Sequence, residues 1–207
     1  LVHPKPRLAG RRRAKIQKGG GLFCKSQIFV NMPAMHKREN NYAYIDGANL
    51  HKGIKGSGWN LDYKRFRVWL SEKYGVQRAY IFIGLVPKHK DVYTTLQEAG
   101  FTLIFKETIY DDIGHVKGNC DTDLVLQAVR DFYDKKFDRA ILVSSDGDYV
   151  SLVKFILDKN KMLVILSPSN KCSVLLKRTD VPIVYIDKKR SRLEFKKEKA
   201  PDTDRTV

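Results

Sequence analysis

Cysteine is scarce and scattered. The three, Cys24, Cys120 and Cys172, are odd in number, far apart and form no CxxC pair, so neither a disulfide framework nor a zinc-thiolate site is suggested. A reducing cytoplasm suits that usage. Long apolar runs are missing as well. No stretch approaches the roughly 20 residues needed to cross a bilayer. The apolar segment from Leu22 to Val30 is broken by Cys24, Lys25, Ser26 and Gln27, which argues against a secretory signal. Acids are in the minority, with 23 Asp and Glu against 39 Lys and Arg, for a net charge of +16. That excess favours anionic partners, nucleic acid before membrane surface. It says nothing about fold.

What is present describes a folded centre between basic ends. The chain has 207 residues, 43% hydrophobic and 11% aromatic, enough for one domain with a sizeable core plus tails. Residues 1–40 carry ten Lys and Arg against the single acid Glu39, and 188–207 carry eight against four. The centre, 41–187, is therefore nearly balanced. Residues 1–40 read as a basic, disordered N-terminal tail, since neither Gly10–Arg13 nor Gly19–Gly21 supports a helical or strand period. Met32 and Met35 precede the patterned part, and three readings of the tail stay open: an artefact of the gene start, a basic arm that holds RNA, or an Arg-rich transit peptide. Residues 188–207 read as a basic C-terminal tail.

From residue 41 short apolar strands alternate with amphipathic helices. Strands are expected at Tyr42–Ile45, Arg78–Val86, Thr102–Phe105, Ala140–Val143, Leu163–Leu166 and Ile183–Ile186. Helical stripes run through Tyr63, Phe66, Trp69 and Leu70 up to Gly75, and through Val92, Tyr93, Leu96 and Ala99 up to Gly100. Two more comprise Leu124 to Phe132 and Val150 to Leu157. The alternation predicts a three-layer α/β/α architecture on a mostly parallel central sheet.

Five aspartates then acquire a common address. Asp46 follows the first strand, Asp121 and Asp123 open a helix, and Asp146 and Asp148 follow the fourth strand. In a parallel α/β sheet, strand C-termini and helix N-termini share one edge, and ligands bind where the strand order reverses. Each aspartate alone is explained as a helix cap or a first-turn acid. Together they would repel one another unless a cation or shared protons intervened. Hard carboxylate oxygens select Mg²⁺, Mn²⁺ or Ca²⁺ rather than zinc. Two such ions about 4 Å apart can activate water and stabilise the leaving oxygen of a phosphodiester.

The runs YIDGANL (44–50), KGNCDTDLVLQAV (117–129) and ILVSSDGDYVSLV (141–153) together resemble the NYN domain, the LabA-like branch of the PIN-like nuclease superfamily. The resemblance covers 41–187 in order, including the first helix and second strand in 62–84. It implies a PIN-like fold and an Mg²⁺- or Mn²⁺-dependent ribonuclease with RNA as partner. It places catalytic carboxylates at Asp46, Asp121 and Asp146, and metal ligands at these and at Asp123 and Asp148. Asn49 matches the family's Asn after the first Asp, where its amide can orient a ligand or a phosphate.

Weaker candidates surround this set. Lys117 could touch the scissile phosphate or simply sit exposed in a turn. Ser144 and Ser145 could hold a ligating carboxylate or satisfy strand-end backbone. His51 and His115 lie near the motifs, and Gly114 and Gly118 make no phosphate-binding fingerprint. Two rivals stay in view. One is a non-catalytic RNA-binding or regulatory module, which would gain little from an anionic site facing phosphate. The other is an aspartyl phosphatase, whose Asp-x-Asp after the first strand is absent because Gly47 and Ala48 follow Asp46. The sequence leaves the RNA target, endo- or exonucleolytic choice and oligomeric state open.

Overall fold

The computed structural model describes residues 39–86, 89–106 and 120–196, and additionally the backbone of 109–110 and 116–117. The first half runs β1 (Asn41–Asp46), α1 (Gly47–Gly56), α2 (Tyr63–Tyr74), β2 (Val76–Gly84), α3 (Lys90–Glu98) and β3 (Thr102–Lys106). Two-residue strands β4 (Ile109–Tyr110) and β5 (Val116–Lys117) pair antiparallel. The second half runs α4 (Asp121–Tyr133), β6 (Ala140–Val143), a 3₁₀ turn (Gly147–Tyr149), α5 (Val150–Asp158), β7 (Met162–Ser167), α6 (Val174–Lys177), β8 (Ile183–Tyr185) and α7 (Arg190–Leu193).

Six strands form one all-parallel sheet in the order β3-β2-β1-β6-β7-β8. The winding reverses between β1 and β6, the central pair, which are in register from Tyr42 opposite Ala140 to Ile45 opposite Val143. The crevice at that reversal is where ligands bind in such sheets. Strand residues alternate between two cores. Ala43 and Ile45 face one layer, packed with Leu50, Ile54, Phe66, Trp69 and Leu96 from α1, α2 and α3. Tyr44 faces the other, with Leu124, Ala128, Leu152 and Ile156 from α4 and α5. The period-two pleat thus produces the expected three layers.

Both glycine stops hold for local reasons. Gly75 closes α2 at φ 62°, and Gly100 follows α3 at φ 92°, a left-handed geometry that costs glycine no Cβ clash. β2 begins two residues earlier than the sequence pattern indicates, because Val76 is fully buried although Gln77 and Arg78 after it are exposed. α1 has no counterpart in the apolar pattern. It forms on an Asp46 cap with Leu50 and Ile54 buried four residues apart, against the helix cost of about 1 kcal/mol per interior glycine. Its glycines answer to packing. A Cβ on Gly47 would lie 2.9 Å from the Phe82 carbonyl oxygen, and one on Gly53 would lie 2.5 Å from Pro168 Cβ.

Packing continues beyond residue 187. Leu193 of α7 is fully buried in the α1–α2 layer, the Asp62 amide donates to its carbonyl at 2.9 Å, and Leu61 bridges Glu194. Among the described residues, no helix is long and apolar enough to cross a membrane.

Candidate metal centre

Asp46 ends β1 and caps α1: its Oδ1 accepts the Asn49 amide at 2.9 Å. Asp146 does the same work after β6, where its Oδ1 accepts the Asp148 amide at 3.1 Å. Asp121 opens α4, where a carboxylate also suits the positive end of the helix dipole. Capping and site-building are thus one arrangement, because each cap hangs at the C-terminal edge of the central strands.

That edge brings the acids together. Carboxylate oxygens of Asp121, Asp146 and Asp148 lie within 4.8 Å of one another. Asp46 joins Asp121 and Asp146 in lining a cleft of about 300 Å³, along with Asn49, Lys52, Gly84 and Cys120. Tyr149, from the 3₁₀ turn, is almost fully buried, and its hydroxyl hydrogen-bonds to Asp121 Oδ1 and, at 3.3 Å, to Asp46 Oδ2. With a single proton, the phenol donates to one carboxylate at a time.

The crowding has an electrostatic signature. Burial raises the Asp46 carboxyl above its ordinary value, and Asp121 and Asp146 push it further up. The Asn49 amide and the Tyr149 hydroxyl pull it back. Burial and hydrogen bonding to Asp121 raise the Tyr149 phenol strongly, so it remains a proton donor at neutral pH. Burial and then the Asp123 and Asp46 carboxylates push the Cys120 thiol up to about 11. The close trio offers carboxylate oxygens, hard donors of the kind that hold Mg²⁺ or Mn²⁺.

The other candidates fall into place around it. Asn49 Oδ1 accepts from both the amide and the hydroxyl of Ser145, each at 3.0 Å, tying α1 to the β6 loop across the switch point. Buried Ser144 receives the Asp146 amide on its Oγ at 3.1 Å. Asp123 is turned to Lys106, with Nζ 2.9 Å from Oδ2, and is not part of the close trio. His51 lines a separate cleft of about 110 Å³ with Trp59 and Lys55. The Lys117 side chain, His115, Gly114 and Gly118 lie outside the described residues. Three residues escape a sequence reading: Tyr149, Lys52 and Lys106. Tyr149 stands inside the quoted 141–153 run, but only the fold shows its hydroxyl reaching two distant acids.

Carboxylates gathered at the switch point of a three-layer parallel sheet are consistent with a PIN-like fold. The profile of the NYN domain matches residues 42–187, and the chain belongs to that family. A crystal structure of a protein of unknown function from Vibrio parahaemolyticus is similar to it, at 26% identity and a TM-score of 0.63, over 75% of this chain and 96% of that one. No curated protein shows a significant match.

Proposed function

We propose that the chain is a metal-dependent ribonuclease that hydrolyses RNA phosphodiester bonds at the aspartate cluster. The observation that carries this reading is the approach of the Asp121, Asp146 and Asp148 oxygens to within 4.8 Å, in the cleft that Asp46 also lines. Such an accumulation of like charge is costly without a cation. It serves no purpose in a protein that only grips phosphate.

Asp121, Asp146 and Asp148, with Asp46 beside them, would hold Mg²⁺ or Mn²⁺. A bound divalent ion supplies Lewis acidity and a water acidified enough to attack phosphorus near neutral pH. The chain's own residues do the rest. Tyr149 fixes Asp46 and Asp121 relative to each other, and Asn49 and Ser145 fix the two loops that carry Asp46 and Asp146. Ser144 holds the Asp146 backbone. Lys52, on the cleft wall, offers a cation to the incoming phosphate and offsets part of the field of the acids. A family position in the LabA-like branch, and a cytoplasmic site of action, belong to the same reading.

The test is cleavage of end-labelled single-stranded RNA by the purified chain. Cutting is expected with Mg²⁺ or Mn²⁺, none in excess chelator, and none with Asp146→Asn, which keeps the shape but removes a charge. Full cutting in chelator would overturn the proposal. RNA binding without cutting under any divalent ion would move the chain to the non-catalytic reading.

A further inference from the structure

A second cleft adjoins the acidic one. Its volume is about 330 Å³, and Lys52, Gly53, Gly56, Ser57, Asn170 and Lys171 line it together with Ser169 and Asp187. Lys52 lines both clefts. The lining charge differs between them. Asp46, Asp121 and Asp146 face one lysine in the first cleft, whereas Lys52 and Lys171 face Asp187 in the second. Asp187 is held to the wall, accepting the Trp59 indole N–H on Oδ1 at 2.9 Å.

The second cleft is built and not a gap between mobile side chains. Its floor is backbone, because Gly53 lets α1 press on Pro168 and a Cβ on Gly56 would meet nothing within 4 Å. Its far wall is a braced loop. Ser167 Oγ donates to the Ser169 carbonyl at 2.6 Å, the Lys171 amide donates to Ser169 Oγ at 3.3 Å, and the Asp187 amide donates to the Pro168 carbonyl at 3.2 Å. Lysine, serine and asparagine over open backbone can grip phosphate and sugar oxygens without reading bases.

We propose that this second cleft is the phosphate-backbone subsite that holds the single-stranded RNA flanking the cut. The proposal rests on the ribonuclease reading for the position of the cut. A polyanion cannot be held by an acidic cleft alone. The second cleft sets two lysines against one acid beside it, with Lys52 as the shared post and Lys171 as the far one for the neighbouring phosphate of the same strand.

Binding measured in excess chelator separates this claim from catalysis. Fluorescence anisotropy of a labelled 12-nucleotide single-stranded RNA would be followed against salt for the full chain, for Lys171→Glu, and for Lys159→Glu. Lys159 is also an exposed lysine, just past the end of α5, and its replacement changes net charge identically. Lys171→Glu is expected to weaken binding about tenfold and to flatten the log–log salt dependence by about 0.7, one phosphate contact on a single strand. Lys159→Glu is expected to stay within about twofold. With Mn²⁺ added, Lys171→Glu should raise KM and leave the saturated rate unchanged, because the subsite acts on the strand and not on the reacting phosphorus.

Equal weakening by both variants would mean that only total charge matters, and the subsite claim would fall. So it would if duplex RNA depended on Lys171 as strongly as single-stranded RNA does. RNA cut with unchanged KM and salt slope in Lys171→Glu removes the subsite and leaves the ribonuclease. RNA held through Lys171 but never cut leaves the subsite and removes the ribonuclease.

Discussion

The two ends of α4 each carry an aspartate bonded to a buried tyrosine, and they have opposite fates. At the C-terminal end, fully buried Asp131 accepts the Tyr44 hydroxyl at 3.0 Å, the Gln127 amide at 2.9 Å and Lys136 Nζ at 3.2 Å. The protein supplies its own cation, and the charge is settled. At the N-terminal end, Asp121 meets Tyr149, but around it stand Asp46, Asp146 and Asp148. Lys52 is the one cation among the described residues lining that cleft, and nearby Lys106 is committed to Asp123. One acid is completed within its own helix end; the other is one of several like charges gathered at the sheet edge. A buried acid with a complete partner set belongs to stability, and a crowd of carboxylates at a sheet edge belongs to chemistry.

Exchanging the two roles gives the sharpest tests. Asp146→Asn should lower the RNA cleavage rate by at least about 100-fold, the upper end of what loss of a mere outer-shell partner costs. Its urea midpoint should not fall, since one of the repelling charges is gone. Asp131→Ala, assayed where it is still folded, should cut RNA within a few-fold of the parent. A large rate loss in Asp131→Ala at unchanged stability would break the distinction.

Metal linkage comes next. A divalent ion at 100 times its dissociation constant should raise stability by about 2.7 kcal/mol, read as a shift in melting temperature with Mn²⁺. Asp131→Ala should keep that increment and Asp146→Asn should lose most of it. An increment that survives Asp146→Asn would place the ion elsewhere.

In the metal-free protein the ranking inverts. Asp131→Ala leaves the Tyr44 hydroxyl buried without its acceptor, which costs about 1–3 kcal/mol; Lys136, half-exposed, returns to water. Chemical denaturation would show this as a lower midpoint, and no change would mean that water replaces the carboxylate.

The smallest effect concerns alkaline pH. Tyr80 stacks on Tyr44 at 5.7 Å, and burial raises its phenol above the ordinary 10.0, with Asp131 adding to the rise and Arg78 opposing it. Above that pH the unfolded chain releases the proton and the native one keeps it. The unfolded state then binds fewer protons, so stability falls as pH rises. The contribution is fully present below pH 10.0. The decline should be shallower in Asp131→Ala, and a decline of equal slope would deny that Asp131 bears on Tyr80.

Much of the site was legible because it coincides with local grammar. Asp46 and Asp146 follow apolar strands and precede helical turns, and such positions fall on one edge whatever the details. The all-parallel sheet follows in the same way from short apolar runs separated by amphipathic stripes. The parts that escaped depend on tertiary contact. α1 carries glycines that lower its helical signal, and its reason, close approach to Phe82 and Pro168, lies far away in sequence. Asp123 looked equivalent to Asp121, two residues away in the same first turn, until Lys106 came within 2.9 Å of it. Tyr149 gave no sign from spacing, because a tyrosine after a turn is ordinarily core, and this one is core up to its hydroxyl.

β1 passes into α1 with no connecting residue, and Gly47 sits where any side chain would strike the Phe82 carbonyl. The backbone that carries Asp46 therefore has no slack for a local hinge; moving it means lifting α1 off the central sheet, and only the carboxylate itself can turn away from the Asn49 amide. In hydrogen exchange the amide of fully buried Ile45, the last residue before Asp46, should be among the slowest in the protein, exchanging with global unfolding and not with the loops. The first carboxylate would then keep its place at the sheet edge for as long as the molecule is folded.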